Sequence, residues 1–339
     1  MVKMKDIAKV TGYSITTVSK AFNGYKDISD DAKKIILKTA DDMGYIPKAN
    51  ARSLATKRSL MIGIIFDEAL GFGIRHPFFG AVIEFFKEEV EKDGYDIIFI
   101  SKNIGKSNVK TYLDHCRLRG VDGVFIACAN FDNPEIQQLI NSNIPSVTVE
   151  SFDNKIHSVN SDDFHGLYMG VEYLARLGHT KIAHIAGDAT ALAGQERKRG
   201  YLAGLKNEGI EAVEDYLVGG NMFSFDSGYK AMKVLLGLDN PPTAITTSGD
   251  MMALGAIKCI RDAGYHIPRD FSILGYDNID MLEYMALGIT TIAQNVSQMG
   301  KKAANILVQN IKVPGMNKKE IILDTKLVIR ESCRDLNQA

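Results

Sequence analysis

The sequence predicts a small all-α head followed by a larger, two-lobed α/β body. Apolar residues recur at helical spacing through the first sixty residues, whereas short apolar runs alternate with amphipathic stretches from Leu60 onwards. Such alternation predicts parallel sheets covered by helices, and it continues to residue 339, which is more chain than one open sheet comfortably holds. We therefore expect two doubly wound lobes behind the head.

Apolar spacing and capping residues predict three helices in the head. A first stripe stops near Gly12, Ser14 is placed to cap a second helix, and Ser29 is placed to cap a third that stops at Gly44, with Pro47 beyond it. The predicted inner faces are Met4, Ile7 and Ala8, then Val18, Ala21 and Phe22, then Ala32, Ile35, Ile36, Ala40 and Met43. Two short helices joined by a glycine turn are typical of a helix-turn-helix.

The body alternates predicted strands with predicted helices. Strands are expected at 61–66, 95–101, 123–129, 145–149, 181–187, 243–247 and 271–276. Helices are expected at 79–92, 109–119, 166–177, 196–207, 226–236, 251–263 and 299–308. Ligands of such sheets bind outside the carboxyl ends of the strands, so the cleft between two lobes is the expected pocket.

Charge divides the chain in the same place. Residues 1–59 carry ten lysines and two arginines against six aspartates, a formal net charge of +6, while the whole chain has −1. A basic head on an acidic body indicates that the head meets a polyanion. No apolar run has membrane length and no secretory signal is visible, so we expect a cytoplasmic protein without membrane contact. The four cysteines and seven histidines are scattered, which predicts no metal site.

The outer face of the second predicted helix carries groups that can read DNA bases. Ile15, Thr16 and Lys20 lie opposite the apolar arc on a helical wheel, together with Ser19. A lysine donates to guanine acceptors, and threonine or isoleucine can contact a thymine methyl. The alternative is an ordinary amphipathic helix with a solvated lysine, against which stand the basic head and an isoleucine on the polar side.

Carboxylates follow three predicted strands of the body. Glu150, Asp250 and Asp277 lie where strands deliver residues into the cleft, and Arg197 lies near the start of a predicted helix. Carboxylate acceptors and guanidinium donors together suit a polyhydroxylated ligand. Two alternatives stay open, since Asp250 can cap the following helix and Arg197 can pair with a carboxylate of its own lobe.

Several segments resemble the lactose repressor and galactose repressor (LacI) family. They are MKDIAKVTGYSITTVSKAFNG, ISDDAKK and MGYIPKANARSLATKRS in the head, and GVDGVFI, GVEYLARLGHTKIAHIAG, PTAITTSGDMMALGAIK, DFSILGYDN and ITTIAQN in the body. The resemblance implies a homodimeric repressor of palindromic operator DNA with a small-molecule sensing domain like the periplasmic sugar-binding proteins (type I), a sugar being the expected effector. It implies no cofactor.

The resemblance also implies domain bounds. We expect a helix-turn-helix domain at 1–47, a hinge helix and linker at 48–59, and a sensing and dimerisation domain at 60–339, in which the N-terminal lobe takes 60–161 and 292–322 and the C-terminal lobe 162–291 and 323–339. The hinge KANARSLAT is too short to be a stable helix alone, so we expect it to fold on DNA. A plain linker is the alternative.

Position by position, the resemblance implies a role for each site residue. Ile15, Thr16 and Lys20 match base-reading positions; Ser14, Asn23, Ser29 and Tyr45 match positions at the DNA backbone; Arg52 and Leu54 match minor-groove positions of the hinge; and Asp277, Arg197, Gln294, Glu150 and Phe223 match effector positions. Phe78 and Phe79 lie where the family lines its pocket, although both can instead be core. We add Asp250 to the effector set.

The sequence departs from the family pattern at three places. The family commonly has Thr-Arg where this chain has Ala32 and Lys33, and Asn where it has Lys48, which puts backbone contacts in doubt. Many sugar-responsive members have Asn where this chain has Gly249, so the identity of the effector cannot be transferred from them.

Other functions fit the sequence less well. No GxGxxG, GxxxxGK[ST] or GxSxG motif occurs in the expected context, which argues against an enzyme and predicts no catalytic residues. An exported sugar-binding protein would need a secretion signal. A regulator that senses a phosphorylated partner is disfavoured by the carboxylates of the cleft.

Overall fold

The computed structural model describes residues 2–22, 25, 27–45, 58–66, 73–102, 109–151, 155–219 and 222–338. The head contains the three predicted helices, α1 (Met4–Thr11), α2 (Ile15–Phe22) and α3 (Asp30–Asp42). Gly12 ends α1 with a φ of 73°, in the left-handed region where glycine is favoured. The turn between α1 and α2 therefore has the backbone that the glycine predicts.

The three head helices pack around a small apolar core. Ile7, Val18, Ala21, Ile36 and Ala40 are buried together, and the side chain of Phe22 packs on Tyr45 with ring centroids 5.3 Å apart. The prediction that Ile35 faces inward was wrong. Its side chain is 49% exposed, because Ile36 takes the inner position and a neighbour in the chain lies about 100° away around the helix.

The described part of the body forms two six-stranded sheets. The first has the order β11-β5-β4-β3-β1-β2 and is parallel throughout. The second has the order β12-β10-β9-β8-β6-β7 and is parallel except for β12, which runs antiparallel to β10. The strands are β1 (Met61–Phe66), β2 (Asp96–Ile100), β3 (Gly123–Cys128), β4 (Ser146–Val149), β5 (His157–Ser161), β6 (Ile182–Ala186), β7 (Leu217–Gly219), β8 (Ala244–Thr247), β9 (Ser272–Asp277), β10 (Thr290–Ala293), β11 (Glu320–Leu323) and β12 (Lys326–Val328).

Helices cover both faces of each sheet. They are α4 (Pro77–Lys92), α5 (Tyr112–Arg119), α6 (Pro134–Ile140), α7 (Asp163–Arg176), α8 (Leu192–Asn207), α9 (Phe225–Leu236), α10 (Asp250–Asp262) and α11 (Val296–Lys312). On the first sheet, α4 and α11 bury one face and α5 and α6 the other. On the second, α9 and α10 bury one face and α7 and α8 the other. Each sheet thus has the two apolar faces that a parallel sheet needs.

Within the described ranges, the chain passes between the two sheets three times. It crosses after β5, after β10 and between β11 and β12. The lobe boundaries expected at 161, 292 and 323 lie near these crossings and stay a prediction. At the first two crossings, the Ser161 hydroxyl and the Gln294 amide oxygen are 2.6 Å apart, so a hydrogen bond ties the connecting segments together. None of the helices among the described residues is both long enough and apolar enough to cross a membrane.

Candidate functional site

The outer face of α2 presents the three side chains predicted to read bases. Ile15 is 54% exposed, Thr16 is exposed and Lys20 is partly exposed, while Val18 and Ala21 are buried on the opposite side. Folding of the isolated chain leaves more than half of the Ile15 side chain in water, so most of its apolar surface is not buried in the head. This face is therefore available to a partner.

Lys20 forms an ion pair within the head. Its ammonium forms an ion pair with the exposed Asp27, and this lysine, through a hydrogen bond, lowers the pKa of that carboxyl group. Because an exposed pair of this kind contributes little stability, it does not hold Lys20 away from a stronger acceptor. The lysine has to exchange Asp27 for a base if it reads DNA.

The predicted backbone-contacting residues lie around α2 and α3. Ser14 accepts a hydrogen bond from the Thr17 amide at 3.0 Å and so caps α2. Ser29 accepts from the Ala32 amide at 3.3 Å and caps α3, and Tyr45 is half-buried against Phe22. Asn23, Arg52 and Leu54, like the departure at Lys48, lie outside the described residues.

A cavity of about 460 Å³ opens between the two lobes, outside the carboxyl ends of the strands. Seven of the eight predicted effector residues line it: Phe78, Phe79, Glu150, Arg197, Phe223, Asp277 and Gln294. The strand ends deliver Glu150 after β4 and Asp277 at the end of β9. Both have a positive φ, 56° and 113°, a costly backbone conformation for residues other than glycine. Strain of this kind concentrates at functional sites.

Arg197 is the buried centre of the site. Its Nε donates to Asp163 Oδ1 at 2.8 Å and its Nη1 to the Ser248 carbonyl at 2.7 Å. Its Nη2 lies 3.6 Å from Glu150 Oε2, and its guanidinium carbon lies 3.9 Å from the ring centre of Tyr276. Burial disfavours the charged guanidinium and so acts to lower the pKa of Arg197. The surrounding carboxylates, Asp163 foremost, outweigh burial and raise this pKa above its ordinary value. The predicted pairing with a carboxylate of its own lobe is therefore present, and the side chain also lines the cavity.

The carboxylates on the cavity are linked to the lobe crossings. Glu150 Oε1 accepts from the Ser161 amide at 3.2 Å. Gln294 donates through Nε2 to Asp277 Oδ1 at 2.7 Å, and its amide oxygen lies beside the Ser161 hydroxyl. Residues that would contact a ligand are thus one hydrogen bond away from the segments that join the lobes.

Burial changes the protonation of these carboxyl groups. Burial and the nearby Asp163 raise the pKa of Glu150 well above its usual range. Burial raises the pKa of Asp277 to about 6, against the opposing effect of Arg197. On the facing side, burial lowers the pKa of His76 to about 4, so this cavity residue is neutral near pH 7.

Asp277 should make stability fall as pH rises. Its native pKa of about 6 exceeds the ordinary 3.8, so the folded protein binds its proton more tightly than the unfolded chain. That contribution is complete below about pH 3.8 and is lost as pH rises through about 6. Relative to Asp277→Asn, we expect the free energy of unfolding of the wild type to fall by at most about 3 kcal/mol between pH 4 and pH 7. Urea titrations across this range measure it, and parallel curves for the two proteins would contradict it.

The aromatic residues divide between cavity and core. Phe79 and Phe223 line the cavity, and Phe78 lines it while also belonging to the core of the first lobe at 5% exposure. Tyr276 is fully buried under Arg197, so its ring is not exposed to the cavity. The guanidinium covers that ring instead.

Asp250 does not line the cavity, which corrects its place in the effector set. Its Oδ2 accepts from the Ile279 amide at 3.0 Å and its Oδ1 from the Thr291 hydroxyl at 2.7 Å. Gly275 allows this approach, since a Cβ there would lie 2.1 Å from Asp250 Oδ1. The alternative of a helix cap does not hold either, because Gly249 is the cap residue and α10 begins at Asp250. The carboxylate joins β10 to the loop after β9.

Three residues that hold the predicted side chains in place were not predicted from the sequence: Asp163, Ser161 and Ser248. Ser161 ends β5, whose residues His157–Ser161 are mostly polar and therefore show no apolar run, and Asp163 begins α7 two residues later. The adjacent acidic pair at 162 and 163 before a helix was the available signal. Among the residues described, no cluster of metal-binding side chains occurs.

Known proteins match both parts of this architecture. Residues 3–48 match the family described as bacterial regulatory proteins, lacI family, and residues 171–333 match a periplasmic binding protein-like domain. A relative named HTH-type transcriptional repressor PurR, from Pasteurella multocida (strain Pm70), is 31% identical over 98% of this chain and 99% of its own length.

Two solved structures are similar to this chain over nearly its whole length. The lac repressor dimer bound to operator and the anti-inducer ONPF has a TM-score of 0.81 and 25% identity, over 98% of this chain and 99% of that one. The complex of the transcriptional regulator CelR with cellobiose has a TM-score of 0.71 and 25% identity, over 98% and 100%. The head with its exposed α2, the two-lobed body with its cleft and these relatives lead to one conclusion: the chain belongs to the LacI family of DNA-binding transcriptional repressors and is not an enzyme.

Proposed function

We propose that this repressor acts in the cytoplasm as a homodimer on a palindromic operator, and that a small polyhydroxylated effector, a sugar, controls its affinity for DNA. The observation that carries the proposal is the cavity between the lobes, whose ligand-facing groups are hydrogen-bonded to the segments joining those lobes. A ligand that favours one arrangement of the lobes shifts the population of DNA-competent dimers by its differential affinity.

A sugar fits the chemistry of the cavity. Asp277 and Glu150 supply acceptors, Gln294 an amide, and Phe79 and Phe223 apolar ring surfaces, a combination that suits a ring bearing hydroxyl groups. The similar regulator CelR is known in complex with cellobiose. The cavity volume of about 460 Å³ lies in the range of small-molecule sites.

The head contributes sequence recognition. Ile15, Thr16 and Lys20 would contact base edges in the major groove, while Ser14, Asn23, Ser29 and Tyr45 would position the head on the phosphates. Arg52 and Leu54 would enter the minor groove once the hinge folds on DNA, with the leucine as an apolar wedge. The proposed bounds are 1–47 for the head and 48–59 for the hinge and linker.

Dimer formation is supported by apolar side chains left in solvent on the second lobe. Tyr284 is 85% exposed and Met281 is 51% exposed, on the 3₁₀ segment Asp280–Tyr284. The similar lac repressor is a dimer on its operator. Light scattering on the purified chain should give twice the 37.3 kDa of one subunit, and a monomer at micromolar concentration would refute the dimer.

Replacing Lys20 with alanine should relax sequence preference. We expect Lys20→Ala to weaken binding to the preferred duplex, selected from a random library, by roughly 1–3 kcal/mol, and to lose selectivity at one position of each half-site. Fluorescence anisotropy on preferred and random duplexes measures both effects. Lys9→Ala, an exposed lysine of α1, is the matched control and should lower both affinities alike. Equal losses on the two duplexes for Lys20→Ala would remove this lysine from base reading.

The experiment that tests the whole proposal is a thermal-shift screen of sugars followed by DNA binding. A sugar present at a hundredfold excess over its dissociation constant stabilises the folded protein by about 2.7 kcal/mol. We expect at least one sugar to raise the melting temperature and to change the affinity for the selected duplex. A sugar that stabilises the protein without any effect on DNA binding would contradict the proposed control.

A further inference from the structure

The carboxylate of Asp122 holds residues 58–60, which we call the junction because the chain enters the body there. Asp122 directly precedes β3, and its Oδ1 accepts hydrogen bonds from the Ser59 amide at 2.9 Å and from the Ser59 hydroxyl at 3.2 Å. Its Oδ2 accepts from the Leu60 amide at 2.9 Å. Hydrogen bonds to a charged acceptor are about twice as strong as those between neutral groups. Three of them on one side chain therefore fix the backbone at Ser59 and Leu60.

The backbone of the junction is strained. Leu60 has a φ of 56°, a conformation that is rare for a residue as bulky as leucine. The Asp96 amide donates to the Leu60 carbonyl at 2.8 Å, so both backbone polar groups of Leu60 are occupied. A strained conformation persists only where its surroundings over-determine it, and such positions concentrate at functional and switching segments. Asp122 supplies one side of that restraint and β2 the other.

The strand pair does not itself require this side chain. The pairing of β1 with β3 begins at Ile62 opposite Gly123, and the Asp122 amide already donates to the Met61 carbonyl at 2.9 Å. The carboxylate reaches further back, to residues that precede β1. Its hydrogen bonds therefore set the path of the incoming chain in addition to the sheet.

Two elements connect the junction with the cavity. β3 starts beside the junction, and its last residues, Ala127 and Cys128, line the cavity. α11 follows Gln294, which also lines the cavity, and near its other end the Ile311 carbonyl accepts from Arg58 Nη2 at 3.4 Å. A helix of 17 residues is about 25 Å long. Because helices and paired strands are stiff, a displacement at the cavity reaches the junction.

We propose that Asp122 is a positioning residue, whose carboxylate orients the junction so that the arrangement of the lobes controls how the hinge segment reaches DNA. Asp122 is not among the residues that line the cavity. As an acidic group it repels phosphates, so it would support DNA binding through the segment that it holds. This inference rests on the proposed function, because it names the residue that connects the two proposed sites.

The variant Asp122→Asn tests the proposal in the full chain, since asparagine keeps the shape but replaces one acceptor oxygen with a donor. We expect the affinity for the selected duplex to fall at least about tenfold in the absence of sugar. The factor by which the sugar changes that affinity should fall towards one. Calorimetry should show that the variant binds the sugar as tightly as the wild type does.

Asp96→Asn is the matched control. Asp96 is exposed at the same end of the sheet and contacts Leu60 through its backbone amide. The control removes the same negative charge, which by itself favours DNA binding, so it should not weaken binding to the duplex. Wild-type duplex affinity and sugar response in Asp122→Asn would overturn the inference. A parallel loss of sugar affinity would also overturn it, because Asp122 would then act on the fold as a whole.

Hydrogen exchange tests the junction without sugar or DNA. We expect the Ser59 and Leu60 amides to exchange about tenfold faster in Asp122→Asn than in the wild type, and unchanged in Asp96→Asn. Ser59→Ala, which removes the hydroxyl donor and keeps the carboxylate, should accelerate exchange at Leu60 to a smaller extent and decides the matter if Asp122→Asn folds poorly. Unchanged exchange would overturn the inference, whereas a wild type that binds neither DNA nor sugar would count against the proposed function.

Discussion

Replacing Arg197 with methionine is expected to destabilise the protein by about 3–5 kcal/mol, because removing one partner of a buried charge cluster leaves the others uncompensated. Asp163 and Asp277 are nearly fully buried around this guanidinium, at 3% and 5% side-chain exposure, and Glu150 is close to it. The Ser248 carbonyl would also lose its donor. A loss of this size is a large share of the stability of an ordinary domain.

The loss should depend on pH in a defined direction. Carboxyl groups freed from Arg197 can regain neutrality by binding protons, so the difference between wild type and Arg197→Met should be smaller at pH 5 than at pH 8. Urea unfolding at both values measures it. Arg199→Met is the matched control, since Arg199 lies two residues away with 65% side-chain exposure and an ion pair to Glu196, and it should cost less than about 1 kcal/mol. Equal losses for the two variants would contradict the buried cluster.

Replacing Asp277 with asparagine is expected to weaken effector binding at least about tenfold while leaving DNA binding intact. The substitution keeps the shape of the side chain and tolerates a positive φ, but it removes a charged acceptor from the cavity. Hydrogen bonds to charged groups contribute about 1.5–3 kcal/mol, so effector affinity should fall roughly tenfold to a hundredfold or more. Calorimetry with the sugar found in the thermal screen measures this loss.

The matched control for Asp277→Asn is the same substitution at a nearby aspartate outside the cavity lining. Asp280→Asn changes an exposed aspartate on the following 3₁₀ segment and should bind the effector as the wild type does. In the absence of effector, both variants should bind the selected duplex with the same affinity as the wild type. Unaltered effector affinity in Asp277→Asn would take this residue out of the site, and weakened DNA binding without effector would show that it acts on the fold instead.

Much of the fold could be predicted because buried parallel strands have apolar sequences. The runs at 61–66 and 123–129 correspond to β1 and β3, and the first three helices were found from capping residues and apolar spacing. Strands without such a run were missed. β5 is largely polar yet fully buried, since the Asn160 amide bonds the backbone of Ser151 after β4 and the Ser161 hydroxyl bonds Gln294 at the crossing between lobes. β7 and β12 have three residues each, too few to show a period.

The site was less predictable than the fold, since a sequence position does not determine what a side chain contacts. Glu150, Arg197 and Asp277 were found because strand ends and the family resemblance pointed to them. Asp250 has the same position after a strand, but its carboxylate turns away to Thr291 and Ile279. Whether a carboxylate faces the cavity or a neighbouring loop depends on packing between segments distant in the chain, which no local pattern records.

The central claim is that the basic head binds duplex DNA and that a ligand between the lobes changes this binding. Fluorescence anisotropy of the full chain on the selected duplex, at low ionic strength and with and without the stabilising sugar, tests it directly. We predict saturable binding that weakens as salt is raised, with an affinity that the sugar changes by about 5- to 150-fold. No binding to any duplex under these conditions, or an affinity identical with and without the sugar, would contradict it.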